Sequence, residues 1–252
     1  SKKDKYVEAF YQMRQREGIT RVKAEKILKT RNYFGSMMVQ TGDADCLVSG
    51  VNMSYIDTIR PALQVVKVNP EYKIVSGLYM MIFENDVMFF ADPTVNIEPD
   101  SEELAEIAIN TAKSVRQLGV EPKVAMLSFS DFGSNQHPLS EKVKKAVEIV
   151  IEKMPDLTID GEMQADTAVV SEILNSTYPF SHLKEKANVL IFPDLQSGNI
   201  AYKLLERLSE AKAVGPILIG MNKPIHVLQR GASVDDIVNL SAIAVVDAQN
   251  SD

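Results

Sequence analysis

Apolar residues recur along the chain in two rhythms, and their alternation carries the first prediction. Helical spacing sets Val7, Phe10 and Arg14 along one side of the opening stretch SKKDKYVEAFYQMRQREG. The same rhythm joins Leu104, Ile107, Ala108, Val115 and Leu118 behind Asp100 and Glu103, a capping-box pair, until Gly119 stops the helix. Ser140 opens another helix through Val143, Val147, Val150 and Ile151, and residues 198–208 and 236–249 predict two more. Residues 57–67 read as a helix with Pro61 in its first turn, where a missing N–H costs nothing. Between these lie short apolar runs of strand length at 37–40, 46–49, 72–83, 87–92, 124–130, 187–193 and 215–220. Asn85-Asp86 joins two of them as a hairpin signal. Strands alternating with helices predict an α/β fold with a largely parallel sheet. Polar residues follow the strands at Ser128–Ser134, at Asp194–Asn199 and from Met221 onward. Ligands of open α/β sheets gather at those carboxyl ends, so the site is expected there.

Composition narrows the function classes. At 252 residues and 45% hydrophobic, the chain can bury the core of one large domain or two lobes. A formal charge of −7 and a pI near 5.1 offer no basic footprint for nucleic acid or an anionic membrane, while leaving room for a pocket that binds a small anion. Cys46 is the single cysteine, which leaves no internal disulfide and suits a reducing, cytoplasmic setting. No apolar run approaches the ~20 residues of a membrane span, and no signal peptide is visible. The chain lacks a GxG dinucleotide core, a Walker A loop, a GxSxG elbow and an HExxH pair. His137, His182 and His226 are far apart in sequence and read as surface or satisfied polar groups. Nicotinamide and metal chemistry are therefore not expected of this chain. The start lacks Met and is already helical, so the chain reads as a piece of something longer, beginning at Ser1.

What remains is a set of features suited to an anion. Asn52, Ser54 and Tyr55 lead into the helix that carries Arg60. Ser128, Ser130 and Ser134 surround Gly133, Arg14 lies on the first helix, and HVLQRGASVDD holds Gln229, Arg230 and Asp236. An arginine near a helix start grips phosphate or carboxylate, because its fork and the free N–H groups converge. Each feature also has a structural reading. Arg14 can snorkel past Phe10, Arg60 can pair with Asp57, Ser233 and Asp236 have capping-box spacing, and the serines can satisfy a turn. Spacing alone leaves these two accounts level.

Longer stretches break the tie. TGDADCLVSGVNMSYIDTIRPALQVVK, ADPTVNIEPDSEELAEIA, EPKVAMLSFSDFGS, DGEMQAD, ANVLIFPDLQSGNIAYKLLERL and GPILIGMNKPIHVLQRGASVDDIVN together resemble the phosphate acetyltransferase family across nearly the whole chain. The resemblance implies a two-lobed α/β fold of the isocitrate and isopropylmalate dehydrogenase type with an interlobe cleft. Residues 1–72 with 225–252 would form the first lobe, lacking the family's N-terminal portion, and 73–224 the second. It also implies dimers and a metal-free exchange of acetyl between acetyl phosphate and coenzyme A. Arg14 and Arg60 match two arginines that hold substrate or cofactor. The family's Asp-Leu-Ser-Arg-Gly loop places its arginine on Arg230 and its base on Asp236, but its serine on Gln229. Met53-Ser54-Tyr55 stands where the family usually has His-Ser-Thr.

These departures, with IHVLQRG, SFSDFGS and VVDAQ, resemble one branch: the C-terminal phosphotransacetylase-like domain of bacterial NADP-dependent malic enzymes. That branch implies a regulatory domain without acetyl-transfer activity. It would bind acetyl-CoA as effector through Arg14, Asn52, Ser54, Tyr55, Arg60, Ser128, Ser130, Ser134 and Arg230, with Gln229, Arg230 and Asp236 as degenerate catalytic counterparts. Its partners would be an N-terminal malic enzyme domain, which would hold the NADP and a divalent metal, and further copies of itself. The alternative is an active phosphate acetyltransferase that tolerates Gln229.

Overall fold

A computed structural model describes residues 2–250; Ser1, the expected point of truncation, and residues 251–252 lie outside the described residues. In chain order the elements are α1 (Lys2–Arg14), α2 (Arg21–Ile27), α3 (Arg31–Gln40), β1 (Leu47–Ser49), α4 (Tyr55–Val65), β2 (Ser76–Ile82) and β3 (Val87–Ala91). There follow α5 (Ser101–Gln117), β4 (Lys123–Leu127), α6 (Pro138–Lys153), β5 (Thr158–Met163), α7 (Ala165–Val169), α8 (Ser171–Thr177) and β6 (Val189–Ile191). The last are α9 (Leu195–Leu208), β7 (Lys212–Ile219), β8 (Ile225–Val227) and α10 (Val234–Gln249). The chain is a mixed α/β protein that divides into two compact units, residues 71–220 and residues 1–70 with 221–252. Among the described residues no helix is long and apolar enough to cross a membrane.

The larger unit is built on a six-stranded sheet in the order β5-β4-β6-β3-β2-β7. β5, β4, β6 and β3 run parallel, and β2 is antiparallel to both β3 and β7, so β7 shares the common direction and β2 is the reversed strand of a largely parallel sheet. The antiparallel β2–β3 pair is the hairpin signalled by Asn85-Asp86, closed by Phe83 N–H donating to Asp86 O at 2.8 Å. Strand alternation puts Tyr79, Met81, Phe90, Ala125, Leu127 and Leu190 on one face, buried with Ala168, Leu174 and Tyr202 of α7, α8 and α9. Tyr79 stacks on Tyr202 with ring centroids 4.2 Å apart. Alternate residues turn to the other face, where α5 and α6 pack. Fully burying each large apolar side chain stabilises the unit by about 1.5–3 kcal/mol.

The smaller unit wraps α1–α4 and α10 around the parallel pair β1–β8. Its core joins Tyr6, Phe10, Leu28, Met37, Val65 and Ile225, with Phe10 edge-on to Tyr33 at 5.6 Å. Residues 37–40, expected as a strand, are the last turn of α3. A four-residue apolar run does not separate helix from strand, and here Asn32, Ser36 and Met37 bury one helical face. Pro61 is also placed differently from the expectation. Ser54 caps α4, so the helix begins at Tyr55 and Pro61 lies inside it. Proline has no N–H for the carbonyl four residues back, that of Asp57. Asn32 Nδ2 donates to that carbonyl at 3.0 Å, and this tertiary bond satisfies the acceptor.

Candidate functional site

The smaller unit brings most of the sequence-predicted site residues together at the carboxyl ends of β1 and β8. Ser49 pairs with Val227, and Leu228 N–H extends the ladder by donating to Ser49 O at 2.8 Å. The chain then turns at Gly50, whose φ is +136° and whose hypothetical Cβ would lie 2.3 Å from Leu228 O. Only glycine allows so close an approach. Past it, Gly231 N–H donates to Val51 O at 3.3 Å. The loop carrying Asn52, Ser54 and Tyr55 therefore lies beside the loop carrying Gln229 and Arg230.

Both loops feed helices through side-chain caps. Ser54 Oγ accepts from Asp57 N–H at 3.2 Å and donates to Asp57 Oδ2 at 2.6 Å. Asp57 is thus engaged by the cap, and among the described residues Arg60 makes no ion pair. Ser233 and Asp236 form a reciprocal capping box at the start of α10, with Asp236 Oδ2 accepting from Ser233 N–H and Oγ at 2.8 Å each. Arg60 and Arg230 are both exposed. Two unneutralised guanidinium groups on adjacent secondary elements suit an anionic ligand.

Arg14 joins this group through Tyr33. The Tyr33 hydroxyl donates to Gln64 Oε1 at 2.5 Å. Burial pushes its phenol above the ordinary value, and the guanidinium groups of Arg60 and then Arg14 oppose that rise. Tyr33 is edge-on to Phe10 of α1 at 5.6 Å and bonded to Gln64 of α4, so it bridges the two helices that carry Arg14 and Arg60. Arg14 does not snorkel to the surface: its side chain is 16% exposed and pairs with Glu17 at 2.5 Å. Its Nε is buried with no hydrogen-bond partner among the described residues.

The serines of the larger unit serve their own turn. Ser130 is wholly buried, with Oγ 3.1 Å from the buried Glu162 Oε1 and 3.3 Å from Ser134 Oγ. Ser134 Oγ also accepts from Asp131 N–H at 3.0 Å. Ser128 is half-buried, and its Oγ accepts from Ser130 N–H at 3.3 Å. The loop is pinned further by Gly133 N–H donating to Glu162 Oε1 at 2.6 Å.

Two residues near the site carry no sequence signal. Asn32 is buried and links three elements: Nδ2 reaches Asp57 O, and Oδ1 accepts from Ser49 Oγ at 2.8 Å. A buried asparagine in a helical stretch looks in sequence like any exposed one. His226 is wholly buried in β8, with Nε2 3.2 Å from Asp247 Oδ2. The other histidines are structural: His137 caps α6, and the His182 backbone donates to Asp160. Among the described residues no three His, Cys, Asp or Glu side chains converge as a metal site.

Comparison with known proteins separates the two readings of the sequence. The phosphate acetyltransferase of Clostridium acetobutylicum is 49% identical over 98% of this chain and 77% of its own length. That of Bacillus subtilis is 46% identical over 96% of this chain and 75% of its own. A crystal structure of a phosphotransacetylase from Streptococcus pyogenes superposes with a TM-score of 0.94 at 45% identity, covering 99% of this chain and 76% of that one. These relatives are transferases, which corrects the malic enzyme assignment. The regulatory, non-transferring role, the oxidoreductase chemistry and the N-terminal malic enzyme partner all fall with it. Two departures in the loops, at Gln229 and Tyr55, do not outweigh near-half identity along the chain. The model of the phosphate acetyl/butaryl transferase family matches residues 1–245, and the chain belongs to that family.

Proposed function

We propose that this chain is a phosphate acetyltransferase, exchanging acetyl between acetyl phosphate and coenzyme A. The observation that carries the reading is that β1 and β8 pair side by side and lead into the helix carrying Arg60 and the loop carrying Arg230, both exposed and, among the described residues, without an ion pair. The family and the names of its relatives supply the reaction class. A finer fold assignment, to the two-lobed isocitrate and isopropylmalate dehydrogenase type, belongs to the same proposal and rests on the sequence resemblance.

The chemistry has three needs. A thiol of ordinary pKa ~8.5 must lose its proton, the phosphate must be held, and the tetrahedral oxyanion must meet donors. In this reading Arg60, Arg230 and Arg14 hold the phosphate and the anionic cofactor, and Asn52, Ser54 and Tyr55 line the approach with polar groups. Asp236 is oriented by its cap through Oδ2 and takes the thiol proton on Oδ1. The thiolate sulfur then attacks the acetyl carbon, the carbonyl pair moves to oxygen, and collapse breaks the bond to the phosphate oxygen. Thioester and inorganic phosphate result. Gln229 stands where the family places serine and donates its side-chain amide to the oxyanion. Loss of one such donor costs about 10²–10³ in turnover.

The test is direct. The protein mixed with acetyl phosphate and coenzyme A should form thioester, with Arg230→Ala raising KM for acetyl phosphate and Gln229→Ala lowering kcat. Absence of turnover in the unaltered protein, with folding verified, would overturn the reading.

A further inference from the structure

The helix that carries Asp236 is seated by little apolar surface. Of its side chains Leu240 and Ala244 are buried, whereas Val234, Val238 and Val245 are exposed. At its far end Asp247 meets His226, a wholly buried residue at the centre of β8, with Oδ2 and Nε2 3.2 Å apart. α10 packs on both β1 and β8.

The loop between β8 and α10 is secured differently at its two ends. Its start is bonded to β1 and the residues after it, through Leu228 and Gly231. Its end runs through the Ser233–Asp236 cap directly into α10, so its position follows that of the helix. Asp236 and Asp247 are separated by roughly 16 Å of helix at 1.5 Å per residue. A helix moves as a rigid lever over that length. Releasing its last turn lets it pivot about Leu240 and Ala244, and the first turn moves by a comparable amount.

We propose that His226 and Asp247 are positioning residues for the Gln229–Asp236 segment: a polar contact made at the far end of α10 that sets where its first turn, and the loop before it, sit. Misplacing reacting groups by about 1 Å costs up to 10²-fold in rate. The kinetic consequence rests on the acetyl-transfer reading; the structural one does not.

The experiment pairs hydrogen exchange with kinetics on the whole chain, using Asp247→Ala. Exchange at the Ala232, Asp236 and Ile237 amides should quicken about tenfold while that at Leu228 in the ladder stays unchanged, and KM for acetyl phosphate should rise about tenfold. Should Asp247→Ala fold poorly, the isosteric Asp247→Asn removes the charge alone and must show the same pattern. Uniform acceleration that includes Leu228 would mean a merely structural contact and would overturn the proposal, as would unchanged exchange at all these amides. If the unaltered protein has no turnover, the transferase reading fails and exchange still decides the positioning role. If exchange shifts as expected while KM and kcat hold, the pair does not position catalytic groups.

Discussion

Asn32→Ala probes how the site-bearing helix is held. In the native protein Asn32 Nδ2 supplies the Asp57 carbonyl with the hydrogen bond that Pro61 withholds, at 3.0 Å, and Oδ1 accepts from Ser49 Oγ at 2.8 Å. Alanine strands one backbone acceptor and one hydroxyl. Each unsatisfied buried group costs about 1–3 kcal/mol, and the partial burial of both acceptor and hydroxyl favours the lower half, giving about 2–4 kcal/mol in total. For a chain of this size that lowers the melting temperature by roughly 5–15 °C. Calorimetry reads the loss, and a double-mutant cycle reads its cause. Pro61→Ala restores an N–H four residues after Asp57, so it should recover about 1 kcal/mol in the Asn32→Ala background and less in the unaltered protein. Strict additivity of the two changes would refute the claim that Asn32 compensates the proline. So would an Asn32→Ala loss below about 0.5 kcal/mol, the scatter of ordinary surface changes.

Three further outcomes are expected. Gly50→Ala forces a Cβ to within 2.3 Å of Leu228 O at a φ of +136°, and should cost about 2–4 kcal/mol in denaturant unfolding while impairing turnover. Asp43 is held down to about 2, first by the hydrogen bond from Lys2 and then by that from Tyr6. A depressed carboxyl stabilises above its ordinary 3.8 and loses that contribution as pH falls through about 2; Asp43→Asn should therefore be less stable than the unaltered protein above that range, the gap closing on acidification. Gln229→Ser restores the hydroxyl of the family loop and should retain turnover within about tenfold, whereas Gln229→Ala falls by about 10²–10³ in kcat, both read by thioester formation.

Much of this protein is legible from the order of its residues. Local rules account for the caps at Asp100–Glu103 and Ser233–Asp236, the hairpin at Asn85-Asp86 and the helices whose apolar stripes are long enough to repeat. Similarity along the chain identifies the transferase family, whereas the departures at Gln229 and Met53-Ser54-Tyr55, with the short stretches IHVLQRG, SFSDFGS and VVDAQ, do not identify a branch within it. Only tertiary structure decided that residues 37–40 are helical, that β7 pairs antiparallel with β2, and that Pro61 sits inside α4. It alone joined Asn52, Tyr55 and Arg60 to Gln229 and Arg230 across a gap of more than 160 residues, through the three-residue ladder of β1 and β8. The reason is physical. Capping and periodicity act over a few residues and leave their mark in the local sequence, whereas strand order, the partner of an orphaned carbonyl and the contact of His226 with Asp247 depend on which surfaces meet when the chain collapses.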